Sequence, residues 1–125
     1  MKLKYLLKII IFFSLLHFTA IAKKIANLPC EAPFPKSRVV VITQGKDPII
    51  VIENGQANQY PVTTLADDKI IDTNGAGDAF VGGFLAQLAR GKSIKECVQC
   101  GIWAATEIIQ QSGCTCPDKK YNAWG

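Results

Sequence analysis

Charge is scarce in this sequence: Asp, Glu, Lys and Arg make up 19% of its 125 residues, and the formal net charge is only +4. Lys2, Lys4, Lys8, Lys23 and Lys24 flank one apolar stretch, and the other cations are scattered without a basic face interleaved with aromatics. That distribution gives nucleic-acid binding no footing. Histidine is rarer still, and the one present, His17, lies in an apolar run and indicates no site by itself. The cysteine count is odd (Cys30, Cys97, Cys100, Cys114 and Cys116), which argues against a complete disulfide framework. No apolar run reaches the roughly 20 residues of a membrane span, no internal repeat is visible, and the length fits one small domain rather than two.

What is present is unevenly placed. Much of the 49% hydrophobic content sits between Leu6 and Ala22, and setting that stretch aside leaves roughly 100 residues for a core, near the usual domain size. Met1 to Ala22 has the form of a secretory signal. Lys2, Lys4 and Lys8 make a positive start, Ile9 to Phe18 an apolar centre, and Ala20-Ile21-Ala22 a small-x-small site. Farther on, Cys97, Cys100, Cys114 and Cys116 supply the thiolates of a tetrahedral zinc site in number. Cys97 and Cys100 fall inside a helical pattern, however, and the second pair lacks the usual two-residue gap. They read instead as small apolar residues on a buried helix face.

Between these features the order of elements is strand, hairpin, loop, helix, helix. Leu28 to Lys36 holds Pro29, Pro33 and Pro35 and reads as a linker. Arg38 to Thr43 is a β-branched run suited to a strand buried on both faces. Gln44 to Pro48 reads as a turn, Ile49 to Glu53 as a strand, Asn54-Gly55 as a hairpin turn and Gln56 to Val62 as the returning strand. Thr63 to Lys69 is polar loop. Gly75 to Arg90 reads as a helix with Phe80, Phe84, Leu85 and Leu88 on its apolar face and Gly91 as its stop. Ser93, with Glu96 three residues on, caps a second helix. Its stripe is Ile94, Cys97, Val98, Gly101, Ile102, Ala105, Ile108 and Ile109, and Gly113 closes it.

The chemistry is concentrated where the first of these helices begins, at Asn74-Gly75-Ala76-Gly77-Asp78. Small residues at a helix start leave unpaired N–H groups and a partial positive charge open to an anion. Asp78 at the edge of such a cradle would repel a phosphate that was merely bound. It makes sense as a base, or a metal-positioning group, beside a phosphoryl group in transfer. The competing structural explanation is that Gly75 and Gly77 allow tight packing and Asp78 complements the helix dipole. The pattern is not a P-loop, since no Gly-Lys-Ser/Thr follows, and it lacks the third glycine of a dinucleotide site.

The string Asp-Thr-Asn-Gly-Ala-Gly-Asp-Ala-Phe-Val-Gly-Gly-Phe-Leu (Asp72 to Leu85) resembles the C-terminal signature of the ribokinase-like (PfkB) carbohydrate and nucleoside kinases, and within them the adenosine kinase family. Val41-Ile42-Thr43-Gln44-Gly45 resembles that family's nucleotide-site strand. Ile108-Ile109 with Gly113-Cys114-Thr115 resembles its closing helix and turn, and Ile21 to Pro29 the helix before the strand. The resemblance implies an α/β chain, the C-terminal part of a three-layer α/β/α fold with an incomplete sheet. It implies transfer of the ATP γ-phosphate to the 5′-hydroxyl of adenosine, giving AMP in purine salvage. Asp78 would be the base, and the N–H groups of Gly75, Ala76 and Gly77 the anion hole. Thr43 and Gly45 would line the ATP site, and Asp72 and Asn74 would hold an activating monovalent cation such as K⁺. Mg²⁺ would arrive with ATP. Ile102 departs from the histidine often found after the last helix's glycine, which puts an adenine contact there in doubt.

The resemblance also conflicts with the leader. It begins at about Ile21, so the family's larger N-terminal part, with its substrate pocket, lid and Asn-x-x-Glu motif, does not precede it. Two segments are therefore expected, 1–22 signal-like and 23–125 kinase. Met1 to Ala20, rich in Lys, Ile, Phe, Leu and Tyr, reads better as translated intron than as a true leader. Phe12-Phe13-Ser14-Leu15-Leu16 is what a pyrimidine tract would encode. The expected enzyme is monomeric, free of membrane, cytoplasmic and also nuclear. Secretion is the alternative if the leader is real, and another ribokinase-like sugar kinase or an inactive truncated protein are the alternatives in function.

Overall fold

The structure, a computed structural model, describes residues 11–13, 18–29, 38–113, 115 and 118–122. The chain divides into two compact units, Met1–Val62 and Thr63–Gly125, and its fold class is α/β, as expected. Cys30, Cys114 and Cys116 lie outside the described residues, as does most of the expected linker.

The first unit is a sheet in the order β1-β2-β3-β4, with β1 at Ile11–Phe13, β2 at Val40–Gln44, β3 at Asp47–Glu53 and β4 at Gln56–Tyr60. β1 runs parallel to β2, pairing Ile11 with Val41 and Phe13 with Thr43. Parallel neighbours need a crossover, and helix α1 (Phe18–Ala26) lies in it. Ala22 is fully buried in a core with Val40, Ile42, Ile50 and Ile52, flanked by the half-buried Ile25 and Ala26. The expected boundary at residue 22 thus falls inside a helix. Arg38 donates to the Ile25 carbonyl near the end of α1, where a cation complements the helix dipole.

β2 is buried on both faces, as its β-branched run implies, and is antiparallel to β3 on its other side. The turn between them is shorter than the sequence reading had it. Only Gly45 and Lys46 separate the strands, Gly45 has φ +61°, and Pro48 lies inside β3. A register shift between Ile42 and Gln44 faces the start of β3, the kind of irregularity where a ladder tolerates a residue without an N–H. The Asn54-Gly55 turn matches expectation, with φ +50° and +77° as a tight hairpin requires. β4 is a polar edge strand and stops at Tyr60, before Pro61.

The second unit is a helix pair, α2 (Ala76–Ala89) and α3 (Ile94–Ile109), preceded by a 3₁₀ turn at Asp67–Lys69 within the expected loop. α2 ends in a Schellman arrangement: Lys92 N–H reaches Gln87 C=O, Gly91 N–H reaches Leu88 C=O, and Gly91 has φ +72°. Phe80 and Phe84 are buried with ring centroids 6.1 Å apart. Leu85, expected on that face, is 47% exposed, and Gln87 is buried instead. At 3.6 residues per turn, positions 80, 84 and 87 share one stripe and 85 lies a further 100° or so round the helix. Cys97 and Cys100 are buried on the α3 face, as the apolar reading had it. Burial pushes the Cys100 thiol up, the direction that disfavours the reactive thiolate. Residues 118–122 return to α3 through a Lys119–Glu107 ion pair at 2.7 Å and a Trp103–Tyr121 ring contact at 5.3 Å.

The α3 cap is a full capping box. Ser93 Oγ accepts the Glu96 N–H at 3.3 Å, and Glu96 Oε2 accepts the Ser93 N–H at 2.9 Å and its hydroxyl at 2.8 Å. Ser93→Ala is expected to cost about 1 kcal/mol of stability. The Ser93 hydroxyl, then the Ser93 N–H, hold the Glu96 carboxyl below its usual range. A folded pKa below the unfolded one stabilises above the unfolded value, and that contribution disappears as pH falls through the folded value. Glu96→Gln should therefore flatten the acid limb of a urea-unfolding series in that window. An unchanged limb would remove Glu96 from the cap.

Candidate active site

The turn into α2 is built from backbone bonds. Ile71 and Asp72 N–H both reach the Ile109 carbonyl, at 2.8 and 3.2 Å, engaging a C=O left open at the end of α3. Asp72 Oδ1 accepts the Asn74 N–H at 2.9 Å, and Oδ2 accepts the Gly113 N–H at 3.2 Å. Ala76 N–H donates to Thr73 C=O at 3.3 Å across a turn in which Gly75 takes φ +81° and ψ −2°. A side chain would be strained at that φ, so glycine suits the position. The first helical bond runs from Ala79 N–H to Gly75 C=O at 2.9 Å.

The residues of the expected anion hole lie at the start of α2. Gly75 is the N-cap residue, and Ala76, Gly77 and Asp78 are the first three of α2. The Ala76 N–H is engaged in the turn, whereas helix geometry leaves the N–H groups of Gly77 and Asp78 without intrahelical partners. No side chain longer than a methyl group stands at residues 75–77. Asp78 is exposed in the first turn, so its carboxylate sits beside the positive end of the helix dipole and is open to a reactant. The arrangement can hold an anion on backbone N–H groups with a carboxylate at its edge.

Thr43 and Gly45 lie in the other unit, at the β2 end and its turn. Thr43 is 8% exposed, and its buried Oγ1 has no hydrogen-bond partner. Gly45 is exposed. Among the described residues no group of three or more His, Cys, Asp or Glu side chains is placed to hold a metal ion. Asp72 and Asn74, expected at a monovalent-cation site, lie in the turn into α2, and each Asp72 oxygen accepts one backbone N–H. Sequence reasoning missed the roles of Ile109 and Gly113, which lie far along the chain from the loop they bond. The positive φ of Gly113, +76°, has a signal in the glycine, but nothing in the sequence tells what its N–H meets.

Residues 16–120 match the model of the pfkB family carbohydrate kinases. The chain belongs to that family. The match begins ahead of Ile21 and so takes in part of the apolar stretch. Adenosine kinase 1 of Arabidopsis thaliana is 54% identical over 99 residues, which are 79% of this chain and 28% of the relative. Among solved structures, Anopheles gambiae adenosine kinase in complex with P1,P4-di(adenosine-5) tetraphosphate is 55% identical with a TM-score of 0.70, over 76% of this chain and 28% of that one. Schistosoma mansoni adenosine kinase in complex with 2-fluoroadenosine is 40% identical with a TM-score of 0.73, over 78% and 29%. The family member described here thus spans under a third of the length of these relatives.

Proposed function

We propose that this pfkB-family chain is the part of an adenosine kinase that carries out phosphoryl transfer, moving the ATP γ-phosphate to the adenosine 5′-hydroxyl to give AMP. The observation that carries the reading is the glycine turn into α2 with an exposed Asp78 in its first turn. The adenosine kinases at 54% and 55% identity support the choice of nucleoside over sugar. Asp78 accepts the proton of the 5′-hydroxyl as its oxygen attacks the γ-phosphorus. The N–H groups at the start of α2 take up the charge on the transferring oxygens, and the bond to the ADP oxygen breaks. Thr43, whose hydroxyl is buried without a partner, and Gly45 serve the nucleotide. Mg²⁺ comes with ATP and is held through phosphates and water.

An ATP-consuming reaction fits the cytoplasm, the compartment that holds ATP. No helix among the described residues is long and apolar enough to cross a membrane. The test is a chimera in which residues 38–122 replace the stretch they match in Anopheles gambiae adenosine kinase. The chimera is expected to form AMP from ATP and adenosine and to leave ribose untouched, while the 125-residue chain alone forms none. A folded chimera that binds adenosine without phosphorylating it would overturn the proposal.

A further inference from the structure

Asp72 and Gly113 are 41 residues apart, yet the carboxylate of one accepts the N–H of the other. The same carboxylate accepts the Asn74 N–H, and the backbone N–H groups of Ile71 and Asp72 share the Ile109 carbonyl. The exit of α3 is therefore joined to the entry of α2 through Asp72. A monovalent cation there would be held by oxygens converging on open space. Here two N–H dipoles direct their positive ends at the Asp72 carboxylate, each in a charge-assisted bond. A cation approaching those oxygens would face the positive ends of both dipoles. Gly113, at φ +76°, belongs to the same arrangement, since that backbone conformation accompanies the presentation of its N–H to the loop.

We propose that Asp72 is a positioning residue that holds the anion-binding turn of α2 from within the chain, through the Asn74 and Gly113 N–H groups, in the place where the family resemblance implies a monovalent cation. What the turn binds rests on the kinase reading. The bonds that hold it do not, and the test uses no nucleotide, so failure of the kinase assignment leaves it readable. The 125-residue chain, labelled for amide NMR, is titrated with KCl against choline chloride at constant ionic strength. The amides of Asn74, Gly113 and Gly75 to Asp78 are expected to show no saturable response. In Asp72→Asn the Gly113 amide is expected to exchange with solvent about tenfold faster or more, the change that goes with losing a bond to a charged acceptor. The amides of Gly75 to Asp78 shift in the same variant, while the interior amides of α3 keep their protection. That pattern separates positioning of the turn from general stability. A saturable K⁺ response in the unaltered chain would overturn the proposal whether or not the variant folds. So would unchanged Gly113 exchange in a folded Asp72→Asn chain.

Discussion

Asp78→Asn in the Anopheles chimera lowers turnover by about 10²–10⁴-fold, the usual contribution of a positioned base, and leaves ATP affinity nearly unchanged. Asn keeps the size of the side chain and its place in the first turn of α2 but cannot take a proton from the attacking hydroxyl. The other effects are smaller. Removing a carboxylate from a helix N-terminus costs about 0.3–1 kcal/mol of stability, too little to unfold a kinase. It also removes a negative charge beside the phosphate, so nucleotide binding has no reason to weaken. The two roles weighed for Asp78 thus separate cleanly. A residue that only complements the dipole gives normal turnover with slightly lower stability. Steady-state kinetics with ATP and adenosine varied in turn, beside a thermal melt, distinguish them.

The second large effect lies in the contact between α2 and α3 and turns on neighbouring glycines. A Cβ added at Gly82 meets nothing within 4 Å. Gly82→Ala should therefore stabilise the helix by up to about 1 kcal/mol through propensity alone. One residue on, a Cβ at Gly83 would lie 2.7 Å from the Cys100 carbonyl oxygen and 3.0 Å from Ala104 Cβ. On the facing helix, a Cβ at Gly101 would lie 2.7 Å from Phe80 Cδ2 and Cε2 and 2.9 Å from the Phe80 carbonyl oxygen. Carbonyl oxygens cannot rotate away, and the Phe80 ring is confined beside Phe84, so the helices must separate. Overpacking of this kind costs about 1–3 kcal/mol, enough to outweigh the propensity gain. In a unit of this size 1 kcal/mol moves the melting temperature by roughly 4–8 °C. Gly83→Ala and Gly101→Ala should melt lower than the unaltered chain and Gly82→Ala higher. Equal shifts at 82 and 83 would show that the helices do not approach as described.

Much of this was legible in the sequence because the signals are local. The Asn54-Gly55 hairpin, the Ser93–Glu96 cap and the Gly91 stop each follow from residue types within a few positions of one another, and all three are present. The run read from Arg38 to Thr43 is buried from Val39 to Thr43, with Arg38 half-buried. The motif at Gly75 to Asp78 could be placed at a helix start for the same reason. The turn before β3 is shorter than Gln44 to Pro48, because the register shift in β2 accommodates Pro48 within the strand. The spacing of Phe80, Phe84, Leu85 and Leu88 puts Leu85 on the buried face, but helix geometry gives that place to Gln87. The bonds from Asp72 to Gly113 and from Ile109 to the loop were out of reach, because they depend on how two helices cross. The strand at Ile11–Phe13 was hidden in an apolar stretch whose composition fits a leader equally well.

The most direct test is a crystal structure of the chimera with adenosine and a non-hydrolysable ATP analogue. The account predicts the terminal phosphate oxygens on the N–H groups at the start of α2, with the Asp78 carboxylate about 2.6–3.2 Å from the 5′-hydroxyl oxygen. A terminal phosphate bound away from Gly75 to Asp78, with Asp78 turned to solvent in the ternary complex, would contradict it.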